Sequence, residues 1–476
     1  MSYKTLVGVE IHVELSTKTK IFCGCTNEFG GDANSHCCPV CLGLPGSIPT
    51  LNKNVVEYAA KAGLAFNCDI SQNTKMDRKN YFYSDLVKGF QVSQDDIPLC
   101  KDGYIEINAN GEDKKIRIER IHIEEDTGKS IHTETNDTLL DYNRAGVPLI
   151  EIVSKPDLSS GEETKMFLEN LRETLKYINV SDVKMEEGSL RCDVNINVVN
   201  TETNEKTSIT EVKNLNSFRA VEKSIEYEEK RHIKALEEGH DIEKDTRRWD
   251  DVNNETIVMR TKGSASDYRF ALDGNIPPIE ISDEWLESIK DSMPELPGAK
   301  RERFISEYKI PEYDAEVITQ NKELADFFEE VVKGINEPEL VSNWIMGDVL
   351  RRLNDDNKAV KDLLFSPSDL AELLNLIKNG KINNNIGKKV FRTMFETGKK
   401  PEVIVKEEGL IQISDEGEIE KLVVEVVNNN EQSVLDYKAG KDRALGFLMG
   451  QVMKASKGKA NPQLASKLVK EELDRR

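Results

Sequence analysis

The chain has 476 residues, 38% of them hydrophobic and 32% charged, and a formal net charge of −21. This length calls for more than one core, and no apolar run approaches the roughly 18 to 20 residues of a membrane span, so a soluble multidomain protein is expected and a membrane partner is excluded. The acidic balance excludes generic affinity for DNA or RNA, and any RNA contact must rest on a local cluster of Lys and Arg.

Residues 1–4 lead directly into a strand without a signal-peptide pattern, so a cytoplasmic location is expected. In Val7-Gly8-Val9-Glu10-Ile11-His12-Val13-Glu14 the apolar side chains fall on odd positions, and Glu10, His12 and Glu14 take even ones. Strand side chains alternate between faces, so one face enters a core and the other carries two carboxylates and an imidazole in a row. A single row of this kind is more often a solvated edge, but the design recurs along the chain. Residues 21 to 41 hold five of the eight cysteines. Cys23 and Cys25 are spaced C-x-C, and Cys38 and Cys41 C-x-x-C, which can supply four thiolates to a tetrahedral, structural Zn²⁺. Cys37 or His36 can substitute in that set. A helix is predicted over 54–66. Residues 77–94 then interleave Tyr81, Phe82 and Tyr83 with Arg78, Lys79 and Lys88, a composition able to stack on a base and meet phosphate, though such rings are more often core.

Polar-faced strands return with Lys115-Ile116-Arg117-Ile118 and Ile121-His122-Ile123-Glu124, whose phase slips at Arg120 and predicts a bulge. Glu125 and Asp126 follow. Glu151 lies inside the apolar strand 149–153, where an unpaired charge is costly, so it requires a cationic partner. Asp193, Asn195 and Asn197 line one face of residues 191–198, and residues 210–219 repeat the design with Lys213 and Arg219. Carboxylates, imidazole and cations on one face suit Mg²⁺ shared with the phosphates of ATP. No Walker or kinase signature accompanies them, and Asp126-Thr127-Gly128-Lys129-Ser130 lacks the first glycine of a P-loop. A charged helix runs from Phe218 through His232. Prolines at 294 and 297 mark a boundary, helical spacing follows, and a second break lies at 398–401. Lys441, Arg443, Lys454, Lys457 and Lys459 form the basic patch where RNA backbone can bind.

The motifs resemble the B subunits of tRNA-dependent amidotransferases, which convert Glu-tRNA(Gln) to Gln-tRNA(Gln) and, in many bacteria, Asp-tRNA(Asn) to Asn-tRNA(Asn). The resemblance is carried by residues 7–15, 38–46, 78–86, 143–152, 213–219 and 446–462. It lapses in the 263–275 loop, where Ala265-Ser266 stands for an Ala-His pair before Asp267-Tyr268-Arg269, and Phe270-Ala271-Leu272 for a Tyr-Phe-Pro run.

The resemblance implies an α+β fold: an antiparallel-sheet cradle over 1–293 with the kinase centre, an all-helical domain over 294–400, and a small helical tRNA-binding tail over 401–476. It implies a ligase forming C–N bonds, in which ATP phosphorylates the γ-carboxylate of tRNA-bound glutamate, with an amidase-type A subunit as ammonia source and a small C subunit completing a heterotrimer. ATP, Mg²⁺ and structural Zn²⁺ are the expected cofactors. His12, Glu125 and Glu151 are the expected Mg²⁺ ligands, with Glu10 and Asp193 beside them, and Lys79, Lys213 and Arg219 are expected on phosphate. The competing reading is a non-catalytic, zinc-containing tRNA-binding scaffold, which leaves the five acidic and imidazole positions without a role.

Overall fold

The computed structural model describes residues 3–109, 111–135, 137–261, 268–411, 416–438, 441, 443–456 and 458–476. The chain divides into two compact units, Met1–Leu296 and Pro297–Arg476.

The first unit is built on a nine-stranded sheet. Numbered within that sheet, its strands are β1 (Tyr3–Glu14), β2 (Asp69–Ile70), β3 (Cys100–Ala109), β4 (Glu112–Glu125), β5 (Pro148–Ser154), β6 (Leu190–Asn200), β7 (Thr210–Lys213), β8 (Asp245–Asp250) and β9 (Glu255–Thr261). Their spatial order is β9-β8-β7-β6-β1-β5-β4-β3-β2, so the first strand of the chain lies at the centre. Val7, Val9, Ile11 and Val13 of β1 are fully buried. Each such side chain contributes about 1.5–3 kcal/mol relative to exposure, and a one-residue slip would replace the four with Gly8, Glu10, His12 and Glu14. The alternation therefore fixes which face is core and which is polar.

Three helices supply the other half of that core: α1 (Lys53–Ala65), α2 (Gly161–Tyr177) and α3 (Phe218–Glu238). Leu168, Leu171 and Leu175 of α2 and Val221 and Ile225 of α3 pack with the β1 side chains in one cluster. Ser160 and Ser217 cap α2 and α3 by accepting from Glu163 and Ala220 backbone N–H groups. Gly239 ends α3 at φ 68°, a left-handed geometry that favours glycine.

The expected antiparallel sheet holds except at one pair, because β7 and β8 run parallel. The 21-residue α3 lies between them and provides the long crossover that a parallel pair requires. The bulge predicted at Arg120 is present: Arg120 pairs with Val153 and Ile118 with Ser154, leaving Glu119 over. A separate three-stranded sheet joins Asp77–Asn80 to Phe90–Ser93 and to Ala271–Leu272. Lys129–His132 pairs with Thr138–Asp141 as a hairpin, which is not the strand-to-helix turn of a P-loop.

The second unit is helical, with two apolar clusters. Phe304, Phe328, Trp344, Leu374 and Phe391 belong to the first, which also takes Ile404 and Val405 of the helix Pro401–Glu407. Ile419, Val423, Leu448, Val452 and Val469 belong to the second. Among the described residues, no helix is long and apolar enough to cross a membrane.

Candidate active site

The polar face of the sheet gathers charge where β1, β5 and β4 lie side by side. His12 pairs with Glu151, and Glu151 with His122, so the three form one cross-strand row. Glu124, two residues beyond His122, shares its face. His12 Nε2 lies 3.6 Å from Glu151 Oε2 and 3.7 Å from Glu124 Oε1. One ligand atom each of His12, Glu124 and Glu151 comes within 4.8 Å of the other two, so one nitrogen and two carboxylates can converge on a divalent cation. Burial opposes ionisation of Glu151, but His122, then His12 and Arg120, hold its carboxyl well below the usual carboxylate range. Burial likewise pushes the His122 imidazole down, yet Glu124 and Glu151 raise it to about 9.

Glu125, expected in the cation set, faces the opposite side of the sheet. It shares the parity of Ile121 and Ile123, binds Lys88, and accepts from the Val92 backbone N–H at 2.9 Å. The alternation that places Glu124 beside His12 turns Glu125 away from it.

Toward β6 and β7 the same face continues with Glu10, Asp193 and Glu211, which also bring one oxygen each within 4.8 Å of the others. Lys213 Nζ sits among them, 2.5 Å from Asp193 Oδ2 and 3.2 Å from Glu211 Oε1. Burial lowers the Lys213 pKa, and the two carboxylates more than reverse this, so the ammonium stays charged. Asn195 Nδ2 donates to Glu10 Oε1 at 3.0 Å. The Glu10 pKa is raised, by burial first and then by the charge on Glu151. At the other end of β1, burial first and Asp126 next push the Glu14 carboxyl up to about 7, while Arg191 Nη2 binds Asp126 Oδ2 at 2.6 Å. Lys79 lies 4.6 Å from the Tyr268 ring centroid and 5.9 Å from that of Tyr81. Arg219 is exposed on the first turn of α3.

The four cysteines Cys23, Cys25, Cys38 and Cys41 converge, their sulfurs within 4.8 Å of one another. Tetrahedral Zn–S bonds of ~2.3 Å require sulfurs about 3.8 Å apart, and Cys38 Sγ and Cys41 Sγ are 3.9 Å apart. The donor set fits zinc. Cys37 lies outside the group, with its Sγ 3.9 Å from Asn143 Oδ1, and the His36 backbone donates to the same oxygen. Lys20, 0% exposed, donates from Nζ to the carbonyls of His36 at 2.8 Å, Ala145 at 2.7 Å and Tyr142 at 3.5 Å. At Cys41 a hydrogen bond from Cys23 first, then burial in opposition, the Cys38 backbone N–H and the Lys20 charge combine to lower the thiol pKa to about 4.

Two family models match the chain. Residues 5–287 match the GatB/GatE catalytic domain, and residues 326–473 match a GatB domain. The chain belongs to the GatB/GatE family. Similar full-length relatives carry the name of the B subunit of aspartyl/glutamyl-tRNA(Asn/Gln) amidotransferase. That of Clostridium tetani is 55% identical over 476 residues, covering all of both chains. That of Finegoldia magna is 54% identical over 473 residues, 99% of this chain and 100% of the relative. That of Thermoanaerobacter sp. (strain X514) is 55% identical over 475 residues, again covering both chains.

Within this GatB/GatE chain, the catalytic-domain match spans the whole polar face, and the second match spans the basic patch. Lys441, Arg443 and Lys454 are exposed and Lys459 is half-buried, with Lys441 bound to Asp436 at 2.9 Å. Lys457 lies outside the described residues, as do Ala265, Ser266 and Asp267 of the divergent loop. Sequence reasoning placed Glu124, Glu211 and His122 within polar-faced segments without giving them a site role, and passed over Lys20. The first three carry a signal in strand parity. Lys20 has none, because nothing local marks a lysine for burial.

Proposed function

We propose that this chain is the carboxylate-activating subunit of a tRNA-dependent amidotransferase, preparing glutamate on Glu-tRNA(Gln), and aspartate on Asp-tRNA(Asn), for amidation. The observation that carries this reading is the convergence of His12, Glu124 and Glu151 on a face that also holds the charged Lys213. A carboxylate accepts ammonia only after its oxide is converted to a leaving group; in this reading ATP transfers its γ-phosphoryl group to the carboxylate and releases ADP, and ammonia then displaces phosphate from the acyl phosphate.

His12, Glu124 and Glu151 are assigned to Mg²⁺, replacing Glu125 in the set read from sequence. When bound, Mg²⁺ would neutralise phosphate charge and orient ATP toward the carboxylate. Glu10 and Asp193 flank the cation site, and Asp193 with Glu211 keeps Lys213 protonated for phosphate. Lys79 and Arg219 are assigned the same class of contact. Glu125 acts from behind by fixing Lys88 and the Phe90–Ser93 strand. Residues 1–293 carry activation and the zinc site, residues 294–400 form the helical domain, and the basic residues of 401–476 bind tRNA backbone. An amidase-type A subunit supplies ammonia and a small C subunit completes the heterotrimer in the cytoplasm; the designation of the relatives as a B subunit supports the presence of other subunits. A zinc-containing tRNA scaffold without catalysis leaves the His12, Glu124 and Glu151 group unused.

The test is ATP cleavage by the chain assembled with its A and C partners, without glutamine, on Glu-tRNA(Gln), Gln-tRNA(Gln) or no tRNA. Cleavage that requires Mg²⁺ and the misacylated tRNA is expected, and cleavage indifferent to both sinks the proposal.

Two further outcomes separate the sites. Glu124→Gln is expected to weaken Mn²⁺ binding by at least about tenfold, whereas Glu125→Gln leaves the affinity within about threefold and lowers Tm by stranding the half-buried Lys88. Mn²⁺ titration beside thermal melting reads both. Metal analysis of reduced protein is expected to find about one zinc per chain. Cys38→Ser should lose that zinc and several degrees of Tm while Mn²⁺ binding at the carboxylate face survives, and metal-free parent protein would remove the zinc assignment.

A further inference from the structure

His122 is the second imidazole of the polar face, 4% exposed and aligned across the strands with Glu151 and His12. Its Nε2 lies 3.3 Å from Glu151 Oε2 and 3.5 Å from Glu124 Oε2. Its Nδ1 is buried with no hydrogen-bond partner among the described residues. A histidine retained for folding ordinarily satisfies both ring nitrogens, because leaving one unmet costs about 1–3 kcal/mol. Here the whole polar contact of the ring goes to two carboxylates, both of which also face His12.

The oxygens divide accordingly. Glu124 turns Oε1 toward His12 and Oε2 toward His122, while Glu151 lends Oε2 to both rings. Two carboxylates this close repel one another; Ser93 Oγ also donates to Glu124 Oε2 at 3.3 Å, and His122 is the group that reaches both Glu124 and Glu151 from the buried side. The His122 side chain is 5% exposed against 23% for His12, so His122 is the deeper ring, on the buried side of the two carboxylates, and His12 the one open to an entering cation.

We infer that His122 is a positioning residue which, through Nε2, holds Glu124 and Glu151 in the geometry that receives the cation. The inference rests on the cation reading given above. It places His122 in the outer contacts that orient metal-binding carboxylates, whose removal commonly lowers metal affinity about 10- to 100-fold.

The test is Mn²⁺ binding to the full-length chain, followed by electron paramagnetic resonance, in the parent, His122→Phe, His122→Gln and Glu151→Gln. Melting without added divalent cation reads folding alone. His122→Phe is expected to bind Mn²⁺ at least about tenfold more weakly, and His122→Gln within about threefold of the parent, because the Gln amide nitrogen reaches the place of Nε2. In the assembled complex, the Mg²⁺ concentration that half-saturates ATP cleavage should rise with His122→Phe by the same factor. Parent-like Mn²⁺ affinity in His122→Phe, with loss in Glu151→Gln, overturns the role of His122 and leaves the cation site standing. No Mn²⁺ binding by the parent overturns both. If His122→Phe does not fold, His122→Asn decides: its shorter amide falls at the place of Nδ1 and should bind Mn²⁺ at least about tenfold more weakly than the parent, and equal affinity of the Asn and Gln variants overturns the inference.

Discussion

Glu151→Gln is expected to reduce tRNA-dependent ATP cleavage by on the order of 10³-fold, about 4 kcal/mol of lost transition-state stabilisation. Glu151 is the middle member of the His12, Glu151, His122 row, and its carboxylate carries the charge that both imidazoles face. The amide keeps the shape and removes that charge. Some stability is lost with it, because His122 and His12 hold the Glu151 carboxyl below its usual range and lose that counter-charge, a cost partly offset by relief of the repulsion that raises Glu10. Rates in the reconstituted complex, read beside Tm, separate the two effects. A parent-like rate would move the chemistry away from this face.

The largest expected effect on stability lies elsewhere, at Glu228 on α3. Its side chain is 0% exposed and meets Arg231 Nη2 at 2.6 Å, His232 Nε2 at 3.3 Å and Arg247 Nε at 3.3 Å, and it accepts from Thr256. Burial opposes its ionisation, but His232 first and Arg231 next bring its pKa from 4.5 down to about 2. Glu228→Gln leaves Arg231 and Arg247 to share Asp245 alone and is expected to cost about 3 kcal/mol at neutral pH. Because the folded carboxyl titrates below the unfolded one, its contribution is complete above about pH 4.5 and is lost as pH falls toward 2. Denaturant melts at pH 7, 5 and 3 should show the parent converging on the variant only in that acid window. A gap that stays constant to pH 3 would contradict the assignment. Arg231 Nη2 also donates to Thr210 at 2.9 Å, so this network ties α3 to β7, the strand that carries Lys213.

The central strand was legible because period-two alternation is a local property, and Val7 to Val13 declare their face without reference to any neighbour. The cysteine cluster was legible from spacing, although only the fold separates Cys37, turned to Asn143, from the four that converge. The Arg120 slip was legible too, and with it the parity of His122 and Glu124. Placing Glu125 in the cation set overlooked that Glu125 shares the side of Ile121 and Ile123. What parity cannot supply is adjacency. β1 lies between β5 and β6, which are remote in sequence, so neither the meeting of Glu211 with Asp193 nor the parallel β7–β8 pair is written in any single segment. Glu228 reads as one more charge on a charged helix until Arg247 and Thr256 arrive from other strands.

Lys20 gives the cysteine loop a meaning beyond metal binding. Its ammonium is sealed among carbonyls from two separate segments, His36 on the cysteine loop and Tyr142 and Ala145 on the turn before β5. A cation withdrawn from water before those carbonyls are in place would be stranded at a cost of several kcal/mol. The cysteine loop and the turn before β5 are therefore coupled through one ammonium, and opening either segment leaves that cation short of partners. Under the zinc assignment proposed above, a chain without the metal would hold Lys20 less firmly and loosen the turn that leads into the strand carrying Glu151.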